Sequence, residues 1–353
     1  MGNEAVRLGV IGCGVIGQTH IAAAAESTSV ELVAIADLRE DVARSLADTH
    51  DVDRVYEQGE ALLADDRVQA VVLAMPAHVR TELALKAFDR RLHVLIEKPV
   101  AMNASEVEQL IAGRDVAGTV AGCCSCRFRL LPSAGLVTRF ISTGTLGDLR
   151  VLHCRAIRPG KPPSNTPPPV WRLRKDLNGG GIMSNWGCYD LDYMLGITGW
   201  GVRPRQVLAR TWSVPGRYSA LADPSSDAET HVAATFLCDD NVAIHFERGE
   251  MMAVAESLTW NVTGEDGSLD LQMTKERKRI VHHAASSETG LVSEVFWEGD
   301  ESNDVISYGP VTDFAAAILE GRAPATTLEQ ALVVQKMTDG LYASAGSENA
   351  VDI

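Results

Sequence analysis

Gly12, Gly14 and Gly17 stand in 12-GCGVIG-17, between an apolar run and an alanine-rich one. At such a junction the spacing G-x-G-x-x-G suits a pyrophosphate. The first glycine permits a tight turn, the second lets backbone approach the phosphates, and the third lets helix pack closely on strand. The helix N-terminus then faces the negative charge. Asp37 ends a second apolar run, 30-VELVAIAD-37, twenty residues beyond Gly17. An acid at that offset accepts hydrogen bonds from ribose hydroxyls and repels a 2′-phosphate. The pattern therefore points to NAD ahead of NADP, although Arg39 close by softens the repulsion. Expected cofactor contacts are Gly12, Cys13, Gly14, Val15, Ile16 and Gly17 in the turn, then Asp37 and Leu38.

Two further places invite chemistry. Lys98 sits in 97-EKP-99, at the end of an apolar run and before a proline that constrains the turn. Farther on, 179-GGGIMSNWGCYDLDYMLG-196 reads as a glycine turn entering a helix, with Asn185 and Tyr189 four residues apart on one face and Trp186 beside them. Asp190 and Asp192 lie elsewhere around that helix, Asp192 reading as structural.

The elements that must position these groups follow from periodicity. A strand from Val6, helix 38–49, helix 59–64, strand 68–74, helix 79–90 and strand 92–97 alternate. Such alternation predicts a parallel, doubly wound sheet with ligand at the carboxyl ends of its strands. Met75, Pro76, Glu97, Lys98 and Pro99 fall there and complete the expected cofactor contacts. After Cys126 strands dominate: 149–157, 206–214, 229–238 and 241–250, then a hairpin over 258–273 with Asp266-Gly267 as its turn. This predicts two domains, residues 1–124 and 125–353.

Composition narrows the partners. A net charge of −15 argues against nucleic acid and anionic membrane as main partners. The longest apolar run, 68-VQAVVLAMPA-77, is too short to span a bilayer, and no signal peptide precedes the first strand, so a cytoplasmic chain is expected. Of the seven cysteines, 123-CCSC-126 suggests metal, but no second pair at ligand spacing follows. A buried strand with small apolar thiols is the preferred reading, and no metal is assigned.

The order of these motifs, with 78-HVRTELALKAFDRRLHVLIEKP-99, 127-RF-128, 144-GTLGDLRVL-152, the glycine triplet and 312-TDFAAAILEGRAPATTLEQAL-332, resembles the glucose–fructose oxidoreductase, inositol dehydrogenase and rhizopine-catabolism oxidoreductase family. The resemblance implies a Rossmann domain followed by an α/β domain on an open, largely antiparallel sheet, whose free face often joins subunits into homodimers or homotetramers. It also implies hydride exchange between nicotinamide and a hydroxyl or keto carbon of a carbohydrate or cyclitol. Members typically carry an Asp and, four residues on, a His as proton donor or acceptor, assisted by the Lys of Glu-Lys-Pro. Here Asn185 and Tyr189 occupy those positions, while Gly187 and Asp192 match the rest.

Tyr189 can replace the His if its pKa falls from about 10 toward 7, which costs about 4 kcal/mol and which an ammonium such as Lys98 favours. Asn185 then bonds substrate hydroxyls without adding a second negative charge. Two alternatives accompany this reading. One is an epimerase or glycosidase that oxidises transiently and needs an extra base, such as His153, Asp176 or His245. The other is a silent NAD-binding sensor. For substrate, 158-RPGKPPSNTPPPVWRLRKDLNGGG-181 reads as a stiff covering loop. Trp171 and Trp186 are placed to stack on a sugar ring, Arg172, Arg174 or Lys175 to hold a phosphate or carboxylate, and Arg127 to line the cleft.

Overall fold

A computed structural model describes residues 5–160, 169–273 and 278–353. The chain forms two compact units, Met1–Leu130 with Ser302–Gln335, and Leu131–Glu301 with Lys336–Ile353. The first unit holds six strands: β1 (Val6–Ile11), β2 (Val30–Ala36), β3 (Arg54–Tyr56), β4 (Ala70–Leu73), β5 (His93–Ile96) and β6 (Ala121–Cys123). They pair in parallel in the order β3-β2-β1-β4-β5-β6. Between them run α1 (Val15–Glu26), α2 (Glu40–Thr49), α3 (Gly59–Leu63), α4 (Arg80–Asp89) and α5 (Ala104–Ala117).

Both sheet faces are covered, as parallel sheets require. Val71 and Leu73 pack with Phe88 and Leu110 on one face. Val72 and Leu95 pack with Ile21 on the other. That is why these strands are continuous apolar runs instead of alternating ones. Residues 302–335 return to this unit, whereas the sequence reading kept everything after 125 in one domain. Val311, Phe314 and Ala315 of α9 (Asn303–Glu320) join the second of those clusters, and Leu328 and Ala331 join the first.

The second unit is built on β7 (Leu149–Pro159), β8 (Pro204–Ser213), β9 (Glu229–Cys238), β10 (Ala243–Met252), β11 (Ser257–Gly264), β12 (Gly267–Met273), β13 (Lys278–Ser286), β14 (Gly290–Gly299) and β15 (Val351–Asp352). Their order is β14-β13-β12-β11-β7-β10-β9-β8-β15. Among the described strands of this sheet only the β7–β10 pair is parallel, so the sheet is mixed and mostly antiparallel. The expected hairpin is β11–β12, but its tip is Glu265-Asp266, because Gly267 already pairs as the first residue of β12. The helices are α6 (Pro132–Ser142), α7 (Lys175–Asn178) and α8 (Cys188–Ile197), and α10 (Leu328–Ser347) starts in the first unit and ends here.

All ten residues of α8 are buried. A helix surrounded on every side must satisfy any charge it carries by pairing. On the sheet, alternation buries Val207 and Phe236 and leaves Leu208, Trp212 and Leu237 about half exposed on the opposite face. No helix among the described residues is long and apolar enough to cross a membrane.

Candidate functional site

The turn after β1 gives each glycine a separate reason. Gly12 has φ +98°, and a Cβ there would press to 2.9 Å from the Ala74 carbonyl carbon. A Cβ on Gly17 would collide with the Gly12 carbonyl oxygen. At Gly14 a Cβ would meet nothing within 4 Å, so the second glycine opens onto free space where backbone can meet a ligand. Asp37 is tied into this turn. Its Oδ2 accepts the Cys13 N–H at 2.6 Å, and its Oδ1 accepts the Arg39 backbone N–H at 2.8 Å and Nε at 3.3 Å. Val15 and Leu38 expose 86% and 73% of their surfaces, apolar area available to a dinucleotide. Ile16, Met75 and Pro76 are half-buried, and the Met75 backbone N lies 3.0 Å from where a Cβ on Gly12 would stand. Burial pushes the Cys13 thiol up to about 12, so it is an inert neighbour of the turn.

At the end of β5, Glu97 is buried and Lys98 half-buried, and the Lys98–Pro99 bond is cis. Glu97 Oε1 meets His20 Nε2 at 2.9 Å and Arg127 Nη2 at 2.9 Å, and its Oε2 accepts the Lys98 backbone N–H at 2.9 Å. Burial opposes a charge there. The Arg127 guanidinium, His20 and Lys98 outweigh it and hold the Glu97 carboxyl well below its ordinary range. Arg127, expected to line the cleft, is thus buried against Glu97. His20, which the sequence left without a role, is its counterpart. Cys124 also approaches this pair, at 4.0 Å from His20 Nε2, with its thiol pushed well up by burial. Glu97 is thus committed to three partners, His20, Arg127 and the Lys98 N–H, in one buried ion-pair network.

In the second unit the glycine triplet has a steric cause. Gly179 closes α7 with φ +71°. A Cβ on Gly180 would strike the Tyr342 hydroxyl, and one on Gly181 would strike the Glu229 backbone. Glu229, buried at the start of β9, accepts the Gly181 N–H at 3.1 and 3.0 Å, the Met183 N–H at 3.0 Å and the Tyr342 hydroxyl at 2.9 Å. A carboxylate thus satisfies the orphan N–H groups that open this helix. Nothing in the local sequence identifies Glu229 or Tyr342 as its partners.

The first turn, Met183–Gly187, is π-helical and runs into α8. Such turns are frequent at functional sites because they re-aim side chains. Asn185 and Tyr189 are both buried, and the Tyr189 and Trp186 rings meet edge to face with centroids 5.6 Å apart. The Arg248 and Arg158 guanidinia lie 5.2 and 5.6 Å from the Trp186 ring centroid. Trp186 is therefore held by cations as well as by Tyr189. Asp190 pairs with Arg248 at 3.0 Å, both buried. Burial pushes the Asp190 carboxyl up to about 6, against the opposing pull of Arg248 and Arg158.

The two arginines of the basic run are matched by acids, and Lys175 is exposed. Arg172 pairs with Glu250 at 2.5 Å and Arg174 with Asp176 at 2.7 Å. Trp171 is 36% exposed in a short 3₁₀ turn, Val170–Leu173. Leu173 packs on Ala228 and Met251 and docks that turn on the sheet. Positions 161–168 of the expected covering loop lie outside the described residues.

A glycine cradle before an acid-ended strand, on a parallel sheet followed by a mixed one, defines a dinucleotide-binding α/β protein. Residues 6–121 match the oxidoreductase family with NAD-binding Rossmann fold, and residues 136–270 match the GFO/IDH/MocA C-terminal domain. The chain belongs to the glucose–fructose oxidoreductase, inositol dehydrogenase and rhizopine-catabolism family, and its first unit is an NAD-binding Rossmann domain. It is 25% identical to a D-xylose 1-dehydrogenase (NADP(+)) of Haloferax volcanii, over 98% of this chain and 99% of that one. It is 28% identical to a myo-inositol 2-dehydrogenase of Thermotoga maritima, but over only 55% of each chain. The fold matches a levoglucosan dehydrogenase solved with NADH and L-sorbose, with TM-score 0.85 and 18% identity over 99% of this chain and 98% of that one.

Proposed function

We propose that this protein moves hydride between NAD and a hydroxyl or keto carbon of an uncharged sugar or cyclitol, with Tyr189 as acid/base and Lys98 assisting. The observation that carries the proposal is the helix opened by Glu229, which holds Asn185 and Tyr189 four residues apart, at the positions to which the family resemblance assigns an Asp and a His. When bound, the nicotinamide supplies the hydride acceptor or donor. Gly12, Gly14 and Gly17 are the candidates to hold the pyrophosphate of the dinucleotide, Asp37 its ribose hydroxyls, and Val15 and Leu38 its apolar surface.

An alcohol must lose its hydroxyl proton as it becomes a carbonyl, and a phenol can take that proton when a cation favours its anion. Asn185 donates or accepts a hydrogen bond without adding charge. The neutral-substrate assignment rests on Arg172, Arg174 and Arg248 each being matched by an acid. Sugar and cyclitol dehydrogenases among the relatives support the substrate class. The half-exposed Leu208, Trp212 and Leu237 support assembly into a homodimer or homotetramer through the open sheet face.

The test is NADH formation over a panel of D-xylose, myo-inositol, methyl glucosides and their phosphates or acids, with wild type beside Tyr189→Phe and Lys98→Ala. The expected outcome is turnover of neutral polyols only, lost at least a hundredfold in Tyr189→Phe with NAD still bound. Substrate converted without net NADH would favour the epimerase or glycosidase alternative. Binding without any conversion would favour the sensor.

A further inference from the structure

The first residue of α4 is Arg80, and its side chain is buried. Its Nε and Nη2 donate to the Met75 carbonyl at 3.2 and 2.5 Å. Its Nη1 donates to the Glu97 carbonyl at 2.5 Å and also to the Pro99 carbonyl. Met75 follows β4, and Glu97 and Pro99 flank Lys98 after β5, so one guanidinium holds three carbonyls on two loops at the carboxyl end of the sheet. Those carbonyls lie beyond the last strand pairing, Leu73↔Ile96. Buried carbonyls there need donors from elsewhere. A planar fork with five donors can reach three separated acceptors, whereas an ammonium on a flexible stem cannot do so in one geometry.

We propose that Arg80 is a positioning residue that joins the cofactor-side loop at Met75-Pro76 to the loop carrying Lys98, so that the two move as one. Glu97 braces the same loop from the other side. Its side chain takes the Lys98 N–H while Arg80 takes its carbonyl. The lysine half of the proposal rests on the role given to Lys98 above, while the cofactor half needs only the Rossmann domain.

The decisive experiment is NADH titration by protein-to-NADH fluorescence transfer, at a temperature where circular dichroism shows every variant folded. Arg80→Met, Arg80→Lys and a core control, Leu110→Ala, are compared with wild type. Leu110 is fully buried in the apolar cluster that also receives Met75, Val100 and Ala101, so its truncation loosens packing at these loops while leaving the hydrogen bonds of Arg80 in place. Arg80→Met should bind NADH about tenfold or more weakly and Arg80→Lys by an intermediate factor, while Leu110→Ala melts earlier but binds within about twofold of wild type. Arg80→Met and Arg80→Lys both binding within twofold of wild type would overturn the proposal, as would an equal loss in Leu110→Ala. If Arg80→Met does not fold, Arg80→Lys carries the same decision. The titration uses no sugar, so it decides the cofactor half of the proposal whether or not the reading of Tyr189 survives.

Discussion

Replacing Glu97 by Gln keeps the shape of the side chain and removes its charge. Arg127, only 10% exposed, then loses its carboxylate, and His20, fully buried, loses the anion it faces. Breaking a buried pair by neutralising one partner costs about 3–5 kcal/mol. For a unit of roughly 160 residues each kcal/mol is worth about 2–4 °C, so the first unit should melt on the order of 10 °C lower. The pH dependence carries a sign. The folded Glu97 carboxyl is held well below its ordinary 4.5, so its contribution is complete above that value and is lost as pH falls through the folded pKa. The gap between wild type and Glu97→Gln should therefore be equal at about pH 7 and pH 6 and close only in strong acid. Scanning calorimetry at several pH values measures it. Adding Arg127→Met to Glu97→Gln should recover much of the loss, since no unpaired charge then stays buried. A fall of less than about 2 °C in Glu97→Gln, or a double variant worse than the single, would refute the ion-pair account.

The Asp190 carboxyl shifts the opposite way, from 3.8 up to about 6, because burial outweighs Arg248 and Arg158. A raised pKa gives stability that is full below the unfolded value and lost as pH rises through the folded one. Between about pH 7 and pH 4, wild type should gain roughly 2 kcal/mol relative to Asp190→Asn in urea unfolding, and a pH-independent gap would count against it. Leu208→Asp with Leu237→Asp places charge on two side chains that are each 51% exposed on the open sheet face. Light scattering should find this variant monomeric while wild type is a dimer or tetramer, and an unchanged mass would exclude that face as the interface.

Much of the fold was legible in the chain because it depends on local pattern. The period of the apolar residues, the glycine spacing and the twenty-residue offset to Asp37 are short-range properties, and a parallel sheet with a dinucleotide cradle follows from them. The run of strands after Cys126 announced the second sheet for the same reason. The hairpin tip slipped by one residue, because Gly267 serves a strand as readily as a turn. The candidate helix was visible from its glycines, though not why they are there. Only the fold shows Gly180 and Gly181 pressed against Tyr342 and Glu229.

What the sequence could not decide is which charge meets which. Glu97 lies 77 residues from His20 and 30 from Arg127, Asp190 lies 58 from Arg248, and Glu229 lies 113 from Tyr342. A basic side chain read alone looks available to an anionic ligand. Burial makes an unpaired charge too costly, so folding matches Arg127, Arg172 and Arg248 with acids that chain order keeps apart. The return of residues 302–335 to the first unit has the same origin. Val311, Phe314 and Leu328 find the apolar surface that the nearer helices leave open.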